Sequence, residues 1–258
     1  MKKNMPPGGT CRPAASTGRA HASKTASYST SPVLSTGRVL LFDAATGALL
    51  DEVGGIRGDV RSTICYDSGS NAYYATSKGG EFIQIKLNAT GQKIASKQTL
   101  KLQNGTTSVA MSTSTPVVYN GRAYVGVSGS SQFAAYSGHN ITVIDLDGAM
   151  SIAYRVPTKG YPQASGLLTT AYENDANGGV YVYFAENTSP GTIRLLYDRK
   201  GQTSPALTTM ESGKKVAYAL FSPSSGHAEH CICSLIADAE GTIYFKNDSG
   251  HLMAYGRM

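Results

Sequence analysis

An all-β fold of recurring four-stranded antiparallel sheets is the class that the sequence predicts, and three observations support it. The chain is rich in Gly, Ser, Thr and Val, and its 16 Tyr outnumber its 6 Phe, a composition that favours strands. No window places apolar residues at helical spacing over three turns. Turn glycines recur roughly every 45–55 residues, at Gly47, Gly91, Gly148 and Gly201. Such a period, with four strands per unit, is typical of a β-propeller, in which neighbouring sheets cover each other.

The clearest unit lies between residues 114 and 156. Its short apolar runs predict strands at Pro116–Tyr119, Ala123–Val127, Ile141–Leu146 and Ser151–Val156. Asn120-Gly121 separates the first two strands and predicts a type I′ hairpin, because both central residues of that turn need positive φ. A sheet this small cannot bury both faces alone, so we expect the units to stack.

The remaining units follow the same order of strands and turns. A partial blade over residues 27–57 has predicted strands at Pro32–Leu34, Arg38–Phe42 and Ala48–Val53. The blade over residues 58–105 has them at Ser62–Tyr66, Ala72–Thr76, Glu81–Leu87 and Gln92–Leu100. After the central blade, residues 106–160, a further blade over residues 161–212 has them at Gly166–Ala171, Gly179–Phe184, Thr192–Tyr197 and Thr203–Thr209. A last partial blade over residues 213–258 has a helical or irregular lead-in at Val216–Phe221 and strands at Ile232–Ala237, Gly241–Lys246 and Gly250–Tyr255.

The positive charge of the chain is concentrated before this domain. Of the net charge of +6, five positive charges come from Lys2, Lys3, Arg12, Arg19 and Lys24. Residues 1–26 are also rich in Ala, Ser, Thr and Pro, which predicts a disordered basic segment. The propeller domain, residues 27–258, is near neutral, so we expect no binding to nucleic acid. No run of about 18 apolar residues occurs, so we expect no insertion into a membrane.

Several segments resemble known propeller repeats. Pro116–Gly148, Arg38–Gly47 (RVLLFDAATG) and Gly241–Gly256 (GTIYFKNDSGHLMAYG) resemble the PQQ-type repeat of quinoprotein dehydrogenases. Asp59–Gly80 and Ser112–Asp145 resemble repeats of bacterial cell-surface proteins. The resemblance implies a propeller in a secreted or surface-attached bacterial protein, located outside the cell or on its surface. Complete quinoproteins have seven or eight blades and this chain about four and a half, so we expect an incomplete, C-terminal part whose partners include the remaining blades of a longer chain.

The enzymatic properties of that family are not matched by the sequence. The resemblance implies that a dehydrogenase would stack a quinone on a Trp, but the chain contains no Trp. The vicinal cysteine pair of some family members is interrupted, because Ile232 separates Cys231 from Cys233. No compact Glu/Asn/Asp cluster suggests a calcium site. We therefore predict no catalytic, cofactor-binding or metal-binding residue, no cofactor, and no enzymatic activity, with a PQQ-dependent dehydrogenase as the alternative.

Two other groups of polar residues were considered as sites. His227, His230, Cys231 and Cys233 form the one metal-like cluster, since cysteines two apart on a strand point to the same face. The simpler interpretation is that the cysteines are small buried residues and the histidines are solvated. Asp145, Asp147 and Asp198 could act as acids or bases, but Asp commonly accepts backbone N–H bonds in turns, which is the role we expect.

The excess of tyrosine is the remaining functional indication. The candidates are Tyr73, Tyr74, Tyr119, Tyr124, Tyr136, Tyr161, Tyr172, Tyr181 and Tyr183. Their amphipathic rings suit a face that binds peptides or sugars, but they suit positions between blades equally well. The sequence thus predicts a non-catalytic scaffold that binds a protein or a glycan. A structural spacer without a ligand is a further alternative.

Overall fold

In the computed structural model the chain is all-β. The structure describes residues 27–29, 36–102, 110–129, 138–171 and 178–256, which form nineteen strands and one short 3-10 helix, Ser225–His227. The basic segment 1–26 and the predicted strand Pro32–Leu34 lie outside the described residues. Within the described ranges, no helix is long and apolar enough to cross a membrane.

The strands form five antiparallel sheets that follow one another along the chain. Sheet 1 contains β1 (Ser27–Ser29), β2 (Thr36–Phe42) and β3 (Leu49–Arg57). Sheet 2 contains β4 (Cys65–Asp67), β5 (Ala72–Thr76), β6 (Glu81–Leu87) and β7 (Ile94–Lys101). Sheet 3 contains β8 (Val117–Tyr119), β9 (Arg122–Val127), β10 (Asn140–Asp145) and β11 (Ser151–Pro157). Sheet 4 contains, in spatial order, β12 (Leu167–Thr169), β13 (Val180–Ala185), β14 (Ile193–Asp198), β16 (Lys214–Phe221) and β15 (Thr208–Glu211). Sheet 5 contains β17 (Ile236–Ala237), β18 (Ile243–Lys246) and β19 (Leu252–Tyr255).

Tight turns join these strands as the sequence predicts. Asn120 and Gly121, between β8 and β9, have φ of 46° and 75°, which is the geometry of a type I′ turn. The turns that follow β2, β6, β10 and β14 each contain a glycine with φ between 69° and 80°: Gly47, Gly91, Gly148 and Gly201. Glycine adopts this region without the steric cost of a side chain, so the repeated glycines fix the repeated turns.

The hydrophobic core consists of four clusters, one between each pair of successive sheets. Their central buried residues are Val39, Ile56 and Ile83 between sheets 1 and 2; Phe82, Val125 and Ile144 between sheets 2 and 3; Tyr124, Val143 and Phe184 between sheets 3 and 4; and Ile193, Leu235 and Phe245 between sheets 4 and 5. In the part of the chain that the structure describes, no such cluster joins sheet 5 to sheet 1. This succession of stacked sheets is the arrangement of an incomplete β-propeller, as predicted.

Sheet 4 differs from the prediction after its third strand. The predicted strand at Thr203–Thr209 and the irregular lead-in at Val216–Phe221 are both wrong, because β16 pairs with β14 and β15 is added outside it. Val216 is fully buried in β16. Ser212 and Gly213, with φ of 47° and 74°, form the two-residue turn between β15 and β16. A Ser-Gly turn is a weaker sequence signal than Asn-Gly, which explains the missed hairpin.

Sheet 5 has the three predicted strands, but its first strand is shorter than predicted. It covers Ile236–Ala237 instead of Ile232–Ala237, so Cys231 and Cys233 lie in an irregular segment. The backbone of this segment bonds to the turn after β18 instead of to a strand, with the Asp248 N–H donating to the His230 carbonyl at 2.9 Å. The expectation that both cysteines project from one face of a strand is therefore wrong.

Candidate binding face

The loop face is the edge of sheets 2 to 4 at which each second strand ends and each third strand begins. In an antiparallel sheet the same edge holds the end of the fourth strand and the beginning of the first. The described segments at this edge are 77–80, 110–116, 128–129, 138–139, 158–166 and 186–192. Connections from three sheets therefore meet here, which makes this edge the candidate binding face.

Buried hydroxyl groups hold the loop face together. Thr76 Oγ1 donates to the Ser114 carbonyl at 2.8 Å, and Ser114 Oγ donates to the Ala164 carbonyl at 2.8 Å. Ser112 Oγ donates to the Gly126 carbonyl at 2.7 Å. These bonds connect sheet 2 to sheet 3 and sheet 3 to the segment leading into sheet 4. Because the groups are buried and paired, they fix the loops and leave recognition to their neighbours.

Tyr161 is the centre of this face. Its phenol oxygen accepts a hydrogen bond from the Thr113 N–H at 2.6 Å, and its carbonyl accepts one from the Asn187 N–H at 2.9 Å. The His139 ring stacks on it with centroids 6.4 Å apart. Tyr161 is 5% exposed, and burial raises the pKa of its phenol. The ring thus ties three connections together without presenting its surface to solvent.

The accessible side chains of the loop face around Tyr161 are mostly uncharged and polar, and Lys78 and Lys159 are the half-buried charged residues on its described segments. The half-buried uncharged ones are Thr113, Thr115, Gln163, Ser165, Asn187 and Thr188. Asn187 Nδ2 donates to Gln163 Oε1 at 3.3 Å. Among the described residues, Asn187 Oδ1 is buried and accepts no hydrogen bond. The face therefore offers amides and hydroxyls held in place by hydrogen bonds.

Most of the tyrosines singled out in the sequence fill space between strands and sheets. The buried ones are Tyr74, Tyr124 and Tyr161. The half-buried ones are Tyr73, Tyr119, Tyr181 and Tyr183. Tyr136 and Tyr172 lie outside the described residues. The sequence indicates Tyr161 but not Gln163, because an isolated amide in a turn-rich segment carries no distinctive pattern.

A buried charged cluster that no sequence pattern indicates joins sheets 3 and 4. Asp198 is fully buried and accepts hydrogen bonds from the Tyr124 hydroxyl at 2.8 Å and the Tyr154 hydroxyl at 2.6 Å. Arg122 Nε lies 3.7 Å from Asp198, and Arg122 Nη2 donates to the Gln202 carbonyl at 2.7 Å. Burial raises the pKa of Asp198 and of both tyrosines. The cluster connects two sheets and is closed to a ligand.

A second buried ionic cluster lies within sheet 4. Arg194 Nε donates to Glu186 Oε2 at 2.7 Å, and the same guanidinium contacts both carboxylate oxygens of Glu211. Glu186 Oε1 accepts from the Lys159 N–H at 2.7 Å, which links sheet 4 to the end of sheet 3. Burial raises the pKa of Glu186, while Arg194 opposes that shift. These carboxylates are thus committed to interactions within the protein.

The other predicted turn residues lie at the edge opposite the loop face. Asp145 accepts from the Asp147 N–H at 3.0 Å, which confirms its turn role. Asp147 forms an exposed ion pair with Lys200 at 2.6 Å. Neither carboxylate is close to the loop face, because the turn after a third strand lies at the far edge of the sheet.

The structure separates the members of the metal-like cluster. Cys231 is buried, burial raises the pKa of its thiol to about 11, and its Sγ donates to the Lys246 carbonyl at 3.1 Å. His230 is exposed, as expected, but His227 is half-buried with its ring centroid 4.2 Å from that of His251. Within the described ranges, no three His, Cys, Asp or Glu side chains are grouped to hold a metal ion.

The described residues do not fit a quinone and its calcium ion. A quinone is held by an aromatic plane, and the chain offers no Trp for that role. Calcium prefers several carboxylate and amide oxygens at one point. The fully buried carboxylates Glu186 and Asp198 instead bind arginine or tyrosine between strands. The described residues therefore supply no site through which quinone chemistry can be derived.

Neither a model of a protein family nor a curated protein matches the sequence. Solved structures are similar, however. Quinohemoprotein alcohol dehydrogenase ADHIIG from Pseudomonas putida HK5 is 14% identical over 89% of this chain and 40% of its own, with a TM-score of 0.51. Quinohemoprotein alcohol dehydrogenase from Comamonas testosteroni is 16% identical over 90% of this chain and 42% of its own, with a TM-score of 0.50. The Dos1 propeller is 12% identical over 85% of this chain and 50% of its own, with a TM-score of 0.53.

These similarities concern the fold. They confirm the predicted PQQ-like propeller repeat. This chain spans 40% to 50% of the length of the three proteins, which agrees with the predicted incomplete propeller. The similar structures include both dehydrogenases and a protein described as a propeller. At identities this low the fold does not determine the activity, which depends on the residues of the site.

Proposed function

We propose that the chain is a non-catalytic propeller scaffold of a secreted or surface-attached bacterial protein, and that its loop face binds a glycan or a polypeptide. The observation that supports this most is the group of half-buried amides and hydroxyls around Tyr161, which includes Thr113, Gln163 and Asn187. Sugar hydroxyls and peptide groups can form hydrogen bonds with amides and hydroxyls of this kind. Uncharged amides and hydroxyls predominate on this face, beside the half-buried Lys78 and Lys159.

Glycan and peptide arrays probed with the chain test this proposal. We expect binding that falls at least about tenfold in Asn187→Ala and in Gln163→Ala, because each hydrogen bond to a ligand contributes roughly 1 kcal/mol and the exposed partner group adds to the loss. Gln92→Ala is the matched control, since Gln92 is exposed in the turn after β6 at the opposite edge. No ligand on either array, or equal loss in the control, would contradict the proposal and favour a structural spacer.

A PQQ-dependent dehydrogenase is the second candidate, favoured by the fold that the chain shares with quinohemoprotein alcohol dehydrogenases. Incubation of the chain with PQQ and Ca²⁺, followed by dye reduction with alcohols or sugars, tests it. We expect no reduction, because the fully buried carboxylates Glu186 and Asp198 bind arginine or tyrosine and no Trp is available. Turnover that requires both additions would replace the scaffold proposal.

A further inference from the structure

Two half-buried lysines lie on the described segments of the loop face. Lys78 is in the turn between β5 and β6, and Lys159 follows β11. Segment 112–113 contacts the neighbours of both, because its two N–H groups donate to the Ser77 carbonyl at 3.1 Å and to the Tyr161 phenol at 2.6 Å. Both lysines therefore belong to the surface that carries the amides and hydroxyls around Tyr161.

The described segments of the loop face carry no exposed carboxylate that could neutralise these lysines. Their single acidic residue is Glu186, which is fully buried and accepts from Arg194 Nε at 2.7 Å. Residues 103–109 and 130–137, which continue these segments in the sequence, contain no Asp, Glu, Lys or Arg. In the part of the chain that the structure describes, neither lysine forms an ion pair. The loop face is therefore positively charged.

The connection from sheet 1 to sheet 2 extends this positive charge. The Lys78 N–H donates to the Asp59 carbonyl at 2.8 Å, so the connection borders the loop face. Arg57 and Arg61 are exposed, and the Asp59 carboxylate pairs with Arg61 at 3.3 Å. Glu81 is buried and accepts from the Arg57 N–H at 2.9 Å. The one half-buried carboxylate here thus already has a cation, and the border stays positive.

The other side chains of the loop face favour a glycan as the anionic ligand. Protein interfaces have aromatic or apolar anchors at their centre. The exposed large apolar side chains among the described residues all lie outside the segments of the loop face: Leu49, Met210, Tyr218, Ile232, Ile236 and Leu252. Amides and hydroxyls such as those of Gln163, Asn187 and Thr113 instead complement sugar hydroxyls. A nucleic acid is bound by neutralising many phosphates, which a domain near neutral overall does not favour.

We propose that the loop face binds a glycan whose sugars carry carboxylate or sulfate groups. Lys78 and Lys159 pair with these groups, and the amides and hydroxyls around Tyr161 bond to the sugar hydroxyls. The inference rests on the proposed function, since it specifies the ligand of the same face. An ammonium group binds an anion as a point charge, so carboxylate and sulfate share this chemistry.

Titration calorimetry of the full chain with polygalacturonate and with its methyl ester tests the proposal. The two polymers share their sugar and linkage and differ in charge. We expect the charged form to bind at least about tenfold more tightly, because hydrogen bonds to charged groups are stronger than neutral ones. This preference should weaken as salt is raised, because salt screens exposed charges. Dextran sulfate and dextran form the corresponding pair for sulfate, and polyglutamate represents an acidic polypeptide.

Two variants connect the preference to the lysines. Lys78→Gln and Lys159→Gln should each weaken binding of the charged polymer by about three- to tenfold, because each removes one charged contact. Lys93→Gln is the matched control: it makes the same change at an exposed position in the turn after β6, at the opposite edge. Circular dichroism checks that the variants are folded, and the comparison of polymers on the wild-type chain needs no variant.

The outcomes separate this proposal from the proposed function. Equal binding of each charged polymer and its neutral parent would overturn the anionic ligand and leave a glycan-binding face in place. Binding of polyglutamate alone would assign the face to an acidic polypeptide and so reject a glycan. An equal loss in Lys93→Gln would reduce the effect to general attraction between charges, and would also overturn the proposal. No binding of any polymer, with no ligand on the arrays, would contradict both.

Discussion

At the scale of single residues, Asp198 shows how a carboxylate is kept in the apolar space between two sheets. An isolated buried carboxylate is costly unless hydrogen bonds and a cation compensate for lost hydration. Tyr124, Tyr154 and Arg122 supply these at 2.8, 2.6 and 3.7 Å. The pKa of Asp198 is nevertheless raised, because burial outweighs the three partners. The cluster therefore specifies how sheets 3 and 4 are aligned more than it stabilises their contact.

The raised pKa of Tyr124 and Tyr154 leads to a prediction about alkaline pH. Both phenols keep their protons in the folded chain, whereas in the unfolded chain they ionise near pH 10. The folded state then binds more protons, so the stability from this pair is present below about pH 10 and is lost as the pH rises further. In an ultraviolet titration of phenolate absorbance, Tyr124 and Tyr154 should be among the tyrosines that ionise only when the chain unfolds.

Tyr154→Phe provides the control for this titration. It removes one phenol from the late group, and we expect the count of late-ionising tyrosines to fall by one. Ionisation of all tyrosines before any loss of circular dichroism would contradict the assigned burial of Asp198 and its partners.

The sequence indicates the residues of this cluster only in part. Tyr124 lies in a predicted strand, but its hydrogen-bond partner Asp198 is 74 positions away along the chain. Tyr154, the second partner of Asp198, is 44 positions from it. The same limit applies at the loop face, where Asn187 bonds to Gln163 across 24 positions. The pattern of polar and apolar residues predicts which face of a strand is buried. Contacts between sheets depend on how the sheets pack against each other, which no local sequence pattern shows.

At the scale of elements, a glycine turn at the same position in each of sheets 1 to 4 gives the fold its repeat. Gly201 has φ of 80°, and a Cβ built on it meets no atom within 4 Å. The need for glycine there is thus conformational and not a matter of space. The same holds at Gly47 and Gly148.

Gly201→Ala should lower the free energy of unfolding by about 1–2 kcal/mol, the cost of placing a side chain in the left-handed region. Gly226→Ala is the matched control: its Cβ also meets no atom within 4 Å, and its φ is not positive. There we expect no loss, or a gain of up to about 1 kcal/mol, because alanine restricts the unfolded chain. Urea denaturation measures both, and equal effects would contradict the conformational explanation.

Elements were predictable where strong turn signals border them. β5 and β6 agree with their predicted bounds to the residue, since Asp-Ser-Gly-Ser-Asn and Lys-Gly-Gly bracket them. β16 was missed because Lys214 and Lys215 at its start hide its apolar alternation, and its pairing with β14 contains a register shift.

At the scale of the whole molecule, stability is distributed along one dimension. Each hydrophobic cluster connects a sheet only to the sheets before and after it in the chain. Sheets 2 to 4 are covered on both faces, while sheets 1 and 5 are covered on one face by the described residues. Nearest-neighbour architectures open from their ends, because a terminal unit has only one interface to lose.

Hydrogen exchange should therefore follow a gradient along the chain. Amides of β18 and β19, in the terminal sheet 5, should exchange well before those of β9 and β10 in sheet 3. Mass spectrometry resolves these segments of the chain in one experiment. Equal protection of sheets 3 and 5 would mean that the sheets unfold as one cooperative unit, and the one-dimensional description would then be wrong.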